Sequence, residues 1–466
     1  MKRKLTGEES IFYRAPEANV SISARIVGEV NEIDLREALM KLLDLHPLLK
    51  SQVLVDENDD IWLETNECIK LDLKIFSRIS DEQWKKIIQK EFDFPFDFEK
   101  GPLIRFILLK STHISDLIIF CQHIICDGLS LANLVHEILT LMADSKYKYA
   151  AEHDICLPVP ENIIFRKANK LGGLTKKIIM NYLNRKWKRT KIDFITDDFL
   201  QIHKAYMDKY SYKILAFELA EDDTLKLREV CRQNNVTVNS AISIAFLAAR
   251  KDLMNYNNII QGVAVNIRNR LKKPVGNSFG CFVSDVEFKY EYDKKIGFWN
   301  NARSYQKRLR TELDNYKDLQ ALTSISDINC RFMEALTFAR HVNYNPSYFN
   351  DHQKLSKLAD NKHIAARIYN EGLKQYPGLL ITNIGALKYS DIYGNLKIEK
   401  IYFAPSSIPT QDGGLIIGAI TINNKLSITL NVTIPNDKND YLSFMNEIGN
   451  NAIHLLLDMI HNYKRT

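Results

Sequence analysis

The residues best suited to chemistry lie in one stretch, Gln122-His123-Ile124-Ile125-Cys126-Asp127-Gly128. An imidazole titrates near ~6.5 in water, so His123 can take up a proton at neutral pH with little tuning. Asp127 follows four residues on, and a turn between the two leaves its carboxylate a choice. It can orient the imidazole directly, or it can turn away to an arginine and lock the loop. Gly128 frees the backbone where a Cβ could strain the turn. The plainer alternative is that a histidine and an aspartate in an apolar segment form a satisfied structural pair.

Two elements must position these groups. Asp116 to Cys121 is short, apolar and β-branched and is followed at once by polar residues, which predicts a buried strand. Beyond the motif, Leu131, Leu134, Val135, Ile138, Leu139 and Met142 recur at helical spacing, so Gly128 sits at a strand-to-helix switch. A rigid strand aims a side chain there while the following loop leaves it accessible.

The stretch resembles the HHxxxDG motif of the CoA-dependent acyltransferase superfamily, which includes chloramphenicol acetyltransferase, nonribosomal peptide condensation domains and free-standing alcohol and polyketide-associated acyltransferases. Other segments match in the expected order. Phe96-Asp97-Phe98 and Gly101-Pro102-Leu103-Ile104-Arg105 are similar to the strand entry before the motif. Val265-Asn266-Ile267-Arg268, with Gly276-Asn277 and Gly280-Cys281-Phe282-Val283, resembles a later conserved region of these proteins, and Thr382-Asn383-Ile384-Gly385 resembles their "SNlG" strand end. The resemblance covers roughly residues 8 to 460. Two departures stand out: the first histidine of the motif is Gln122, and in place of a clear DFGWG box there is only Asn277 to Phe282.

The resemblance implies an α+β sandwich of two chloramphenicol-acetyltransferase-like subdomains, 1–195 carrying the motif and 196–466, with a central substrate tunnel that reaches His123 from both faces. It implies an acyltransferase in which His123 is the base and Asp127 and Gly128 complete the catalytic motif. An arginine from the region of Arg268 would pair with Asp127, with Arg270 as its rival. Gln122, Asn277, Phe282 and Asn383 are the candidate tunnel residues. The co-substrate would be an acyl-CoA or phosphopantetheine thioester, with no permanently bound cofactor. The acceptor would be a small-molecule alcohol or amine, with ester formation ahead of amide formation. A condensation enzyme fed by acyl or peptidyl carrier proteins and a catalytically silent scaffold are the rival readings.

Composition sets the outer limits. A chain of 466 residues that is 45% hydrophobic can bury large cores, and its length suggests two or three domains. A net charge of +6 is mild for this size and implies no nucleic-acid partner. Lys2, Arg3 and Lys4 are followed by no apolar h-region, and no apolar run approaches the ~20 residues of a membrane span, so a cytoplasmic protein is expected, while the resemblance implies a monomeric enzyme of secondary metabolism. The cysteines at 68, 121, 126, 156, 231, 281 and 330 lack metal-ligand spacing, which predicts reduced core thiols and no metal site. Cys126 reads as structural, because in sequence only His123 lies near enough to activate it.

The rest of the chain follows a mixed pattern. Val20 to Val30 alternates as a strand, and Asp34 with Glu37 reads as a capping box for a helix that ends at His46 and Pro47. From Arg166 to Lys191 ten basic residues occur with no acid among them, beside Ile178, Ile179, Tyr182, Leu183 and Trp187. Such a helix can contact an anionic membrane surface or an acidic carrier protein, and its plainer role is a connector whose apolar side packs on the protein. Gly172-Gly173 is expected to break it. In the second half, Tyr212 to Leu219 predicts a strand, Glu221 to Asp223 a helix start, and Val238 to Ala249 a buried helix. A strand is expected to end at Arg268, and 297–372 is expected to be mainly helical. Strands follow at Gly378 to Gly385 and Lys397 to Ala404, and Asp412-Gly413-Gly414 reads as a turn. A hairpin turns at Asn423-Asn424-Lys425, and the last helix is predicted to bury Tyr441, Phe444, Met445, Ile448, Leu455 and Met459.

Overall fold

The strands collect into two six-stranded sheets and one small three-stranded sheet, and apolar runs fill the central strands of the large ones. The computed structural model describes residues 1–147, 170–190, 192–254, 258–271, 274–315, 328–373, 376–409, 414–438 and 440–463. Its first half runs β1 (Lys2–Lys4), α1 (Gly7–Phe12), β2 (Asn19–Val27), α2 (Glu32–Leu45), β3 (Ser51–Val55), β4 (Ile61–Thr65), β5 (Leu73–Ser77), α3 (Gln83–Glu91), β6 (Ile104–Lys110), β7 (Ile114–Gln122) and α4 (Gly128–Ala143). The second half runs α5 (Lys170–Lys188), α6 (Thr196–Lys209), β8 (Tyr210–Leu219), α7 (Glu221–Gln233), α8 (Val238–Leu253), β9 (Ile260–Asn266), β10 (Val283–Lys289), α9 (Phe298–Asn315), α10 (Cys330–Tyr344) and α11 (Ile364–Ile368). It ends with β11 (Leu379–Ala386), β12 (Ile392–Tyr393), β13 (Leu396–Ala404), β14 (Leu415–Ile422), β15 (Lys425–Pro435) and α12 (Asp440–His461).

The sheet that carries the motif has the order β12-β13-β2-β7-β6-β5, and the second has the order β10-β9-β11-β14-β15-β8. The mixed α and β class expected from the sequence is therefore the class observed. β7 lies between β2 and β6, antiparallel to both, with Asn19 opposite Gln122 and Ile104 opposite Cys121. Every residue of β7 after Ile114 is buried, so the strand that aims His123 is held on both faces and both edges. β13 comes from the C-terminal part of the chain but pairs with β2 in the motif sheet. It ties the sheets together, since Thr429 Oγ1 donates to the Phe403 carbonyl at 2.6 Å. At Gly418 a Cβ would lie 2.5 Å from that same carbonyl, so the close approach of the sheets requires glycine there.

Several expectations shift by a few residues. The helix after β2 starts at Glu32 and not at Asp34: Asn31 accepts from the Ile33 and Asp34 N–H groups, and Asp34-Glu37 forms no capping box. β9 stops at Asn266, and Arg268 sits in a 3-10 turn beyond it. Gly172-Gly173 does not break α5, which runs through both. The buried stripe of α12 is Met445, Ile448, Ala452, Leu456 and Ile460, while Tyr441, Phe444, Leu455 and Met459 flank it half-buried. The hairpin turns on two residues, Asn423 and Asn424, with φ of 51° and 58°; Lys425 already belongs to β15. Positive φ at both central positions is the geometry that matches strand twist, and asparagine tolerates it. Cys156, Arg166, Lys167, Lys191 and the Asp412-Gly413 turn lie outside the described residues. Among the described residues, no helix is long and apolar enough to cross a membrane.

Removing the real cap is the test of the α2 boundary. Asn31→Ala should lower stability by about 1 kcal/mol, and Asp34→Ala by no more than about 0.5 kcal/mol. Urea midpoints of the two variants measure both.

Candidate active site

His123 is the first residue past β7. Its N–H donates to the Ala18 carbonyl at 3.0 Å, which fastens the turn to the start of β2. Its Nδ1 lies 2.8 Å from the Cys126 carbonyl. A carbonyl only accepts, so Nδ1 carries the proton and Nε2 is left as the unprotonated nitrogen. Among the described residues, no hydrogen-bond partner occupies Nε2. The ring is half-buried and stacks on Phe12, with centroids 4.1 Å apart and planes 10° from parallel. Cys281 Sγ approaches Nδ1 at 3.7 Å. Burial lowers the imidazole from its ordinary 6.5, although the Cys126 carbonyl and the Asp127 charge act the other way. The histidine is thus neutral and basic at pH 7.

Asp127 caps α4, accepting from Ser130 N–H at 2.8 Å. Arg268 donates to it through both terminal nitrogens, at 2.6 and 3.0 Å, and the Phe282 N–H adds a bond of 2.9 Å. Burial by itself would raise this carboxyl, but the Arg268 guanidinium with the Ser130 and Phe282 N–H groups holds it below its ordinary 3.8. Of the two roles open to Asp127, the geometry takes the second: the carboxylate faces Arg268. Arg270 is exposed, and Arg268 is buried in the pair. Ser130 extends the junction, donating from Oγ to the Gly280 carbonyl at 2.8 Å and accepting from Arg268 at 2.7 Å.

Gly128 has a different reason from the one expected. Its backbone is not in the positive-φ region; instead, a Cβ would come within 2.7 Å of the Phe403 ring and 2.9 Å of Ile384. The glycine admits β13 and β11 against the start of α4. Phe282 is fully buried, and its ring lies 4.7 Å beneath the Arg268 guanidinium. Gln122 is buried and bridges Phe12 O and Ile124 N–H. Asn277 is exposed and its carbonyl accepts from Asn133 at 3.3 Å, while Asn383 accepts from the Gly385 N–H at 2.8 Å. Neither hydrogen-bonds to His123. Cys126 is fully buried, and burial pushes its thiol well above its ordinary value, so it is no ready thiolate.

Sequence reasoning missed Phe12, Ser130 and Phe403. Ser130 had a legible signal, the spacing of an N-cap aspartate to its third helical residue. Phe12 and Phe403 had none, because only long-range pairing brings them to the motif. The basic segment is also partly placed: on α5, Trp187 is buried against Phe332 and Phe194, whereas Ile178, Ile179 and Tyr182 are exposed. The expected packing of its apolar side holds only for its C-terminal end.

The Condensation domain family matches residues 11–152, from the end of α1 past the end of α4. Bacitracin synthase 1 of Bacillus licheniformis is 23% identical over 315 residues, 64% of this chain and 6% of that protein. The chain therefore spans only a small part of such relatives. Among solved structures, the trichothecene 15-O-acetyltransferase of Fusarium sporotrichioides superposes with a TM-score of 0.62 at 14% identity, covering 98% of this chain and 94% of that one. The epimerization domain from the third module of tyrocidine synthetase B gives 0.59 at 14% identity, covering 99% and 97%.

Residues 11–152 are thus similar to the Condensation domain family, and the fold is the one shared by that acetyltransferase and that epimerization domain.

The Asp127 pair predicts a pH-dependent effect. Arg268→Met leaves a buried carboxylate without its partner and should cost about 3–5 kcal/mol at pH 7. Because the folded carboxyl is depressed, the pair's stabilisation is full above the unfolded value of ~3.9 and is lost as pH falls through the folded value. The gap between wild type and variant in urea midpoint should therefore be widest at neutral pH and shrink below about pH 4.

Proposed function

We propose that the chain transfers an acyl group from a CoA or carrier-protein thioester to a hydroxyl or amine, with His123 as general base and no acyl-enzyme. The observation that carries this is the orientation of His123: Nδ1 is committed to the Cys126 carbonyl, and Nε2 is left basic and unpartnered among the described residues. In the proposed step Nε2 takes the acceptor's proton as its oxygen or nitrogen attacks the thioester carbonyl. The tetrahedral oxyanion, stabilised by a backbone N–H or a nearby hydroxyl, collapses, and Nε2 returns the proton to the departing thiolate. Asp127 acts only by holding the loop through Arg268, and Gly128 by admitting the neighbouring strands.

In this reading the substrates meet His123 through a tunnel between lobes 1–195 and 196–466, with β13 crossing from the second lobe into the first sheet. Gln122, Asn277, Phe282 and Asn383 belong to its surroundings. The segment 166–191 is a docking surface for an acidic carrier or an anionic membrane, and its exposed Ile178, Ile179 and Tyr182 beside Arg185, Lys186 and Lys188 support that. Ester formation on an alcohol is preferred, by analogy with free-standing enzymes of this fold. The match of residues 11–152 to the Condensation family favours peptide-bond formation between carrier-bound groups as the second reading.

Thiol release from acyl-CoAs of increasing chain length, with mixed alcohols and amines and mass spectrometry of products, tests the proposal. Release should need both an acceptor and His123, and His123→Ala should lower turnover at least about 100-fold. Because the base is the neutral imidazole and burial lowers it, kcat/KM should rise with pH and reach half its plateau below 6.5. Turnover by carrier-bound thioesters but by no acyl-CoA would favour the second reading, and acceptor-dependent release that persists in His123→Ala would overturn the proposed base.

A further inference from the structure

We propose that Phe12, held in place by Gln122, is a positioning residue that fixes the plane of the His123 imidazole; this rests on the reading of His123 as the base. An imidazole at a turn has two freedoms, rotation of its plane and a flip that exchanges Nδ1 with a ring carbon. The Cys126 carbonyl, 2.8 Å from Nδ1, selects one of the two flips. A single hydrogen bond leaves the ring free to rock about it, and each excursion that breaks that bond frees the proton to exchange between Nδ1 and Nε2. Phe12, parallel to within 10° at 4.1 Å, removes that rocking, because any tilt drives the rings together or breaks the stack.

The position of Phe12 needs support of its own. It ends α1, a six-residue helix too short to be stable alone. The start of that helix is fixed by a capping box in which Thr6 and Glu9 bond reciprocally, with Arg3 donating to Glu9 at 2.5 and 2.7 Å. Its end presents the Phe12 carbonyl, and Gln122 Nε2 donates to it at 3.1 Å. The same side chain accepts from Ile124 N–H through Oε1 at 2.9 Å and is 1% exposed. Gln122 therefore ties α1 to the turn that carries His123, one donor and one acceptor used on opposite sides. An amide does this without titrating, so the tie is constant over the pH range in which His123 changes charge. Gln122 thus acts on the chemistry through Phe12 rather than by touching the reactants.

The test compares Phe12→Leu, which keeps apolar volume but has no ring face, with Phe12→Tyr, which keeps the face at a half-buried site, and adds Gln122→Met. Nitrogen-15 NMR of histidine-labelled protein, with His123 assigned by its loss in His123→Ala, reads the tautomer without any substrate. The acyl-CoA and acceptor that turn over read kcat and KM. Phe12→Leu and Gln122→Met should lower kcat about tenfold with KM changed less than about threefold. In both, the His123 spectrum should move from a fixed Nδ1–H tautomer to an exchanging mixture, and Phe12→Tyr should keep both properties within about twofold. An unchanged tautomer and kcat in Phe12→Leu, or a fall in Phe12→Tyr equal to that in Phe12→Leu, would overturn the proposal. If His123→Ala stays active while the tautomer responds as described, the positioning role stands and the role of His123 as base fails.

Discussion

A buried guanidinium–carboxylate pair joins the two sheets, and the geometry of the site depends on it. Asp127 leaves β7 in the first sheet, and Arg268 leaves β9 in the second. Both are almost fully buried, so each would carry a large desolvation cost alone. What offsets that cost is completeness: the carboxylate accepts four hydrogen bonds, two from Arg268 and one each from the Ser130 and Phe282 N–H groups. Such a pair adds little net stability compared with an apolar contact, but it tolerates almost no displacement. It sets the register between the motif turn and the segment 266–282 more strictly than apolar packing would.

That constraint decides what holds the histidine. A carboxylate fully used by Arg268 cannot also orient an imidazole, so the backbone carbonyl of Cys126 does so, three residues from His123 in the same turn. The difference is electrostatic. A carboxylate bonded to Nδ1 would stabilise the imidazolium and raise its pKa, whereas a neutral carbonyl leaves burial as the leading influence and the pKa falls. With Asp127 turned to Arg268, burial prevails and the histidine stays neutral.

The parts legible in the sequence were those governed by local pattern. The apolar run before the motif and the helical spacing after it placed β7 and α4, and the double asparagine placed the β14–β15 turn. The pairing of Arg268 with Asp127 came from resemblance, since the two are far apart in sequence and Arg270 had equal local claim. Long-range pairing was not legible. Nothing local in 396–404 says that the strand, besides pairing with its neighbour β12, joins β2, and so the true reason for Gly128, its contact with Phe403, was hidden as well. The cap of α2 was misplaced because Asp34 and Glu37 satisfy the pattern of a capping box while Asn31, three residues earlier, makes the bonds. In α5, Trp187 is covered by Phe332 and Phe194 and Leu183 is partly covered, while Ile178, Ile179 and Tyr182 stay exposed.

The fold leaves the chemistry open, because an O-acetyltransferase and an epimerization domain superpose on this chain about equally well. What distinguishes reactions on a shared fold is what touches the imidazole. Here the proton position is fixed by one carbonyl, the ring plane is shared with one phenyl group, and a thiol stands at 3.7 Å on the protonated side. Burial has pushed the neighbouring Cys126 thiol well above its ordinary range, and the protonated side of His123 cannot deprotonate Cys281. The basic nitrogen therefore has no nucleophile of the protein to activate among these contacts. With His123 as the proposed base, the group that delivers its proton to Nε2 comes from a substrate, and direct transfer between two bound molecules is the form of the proposal that these contacts support.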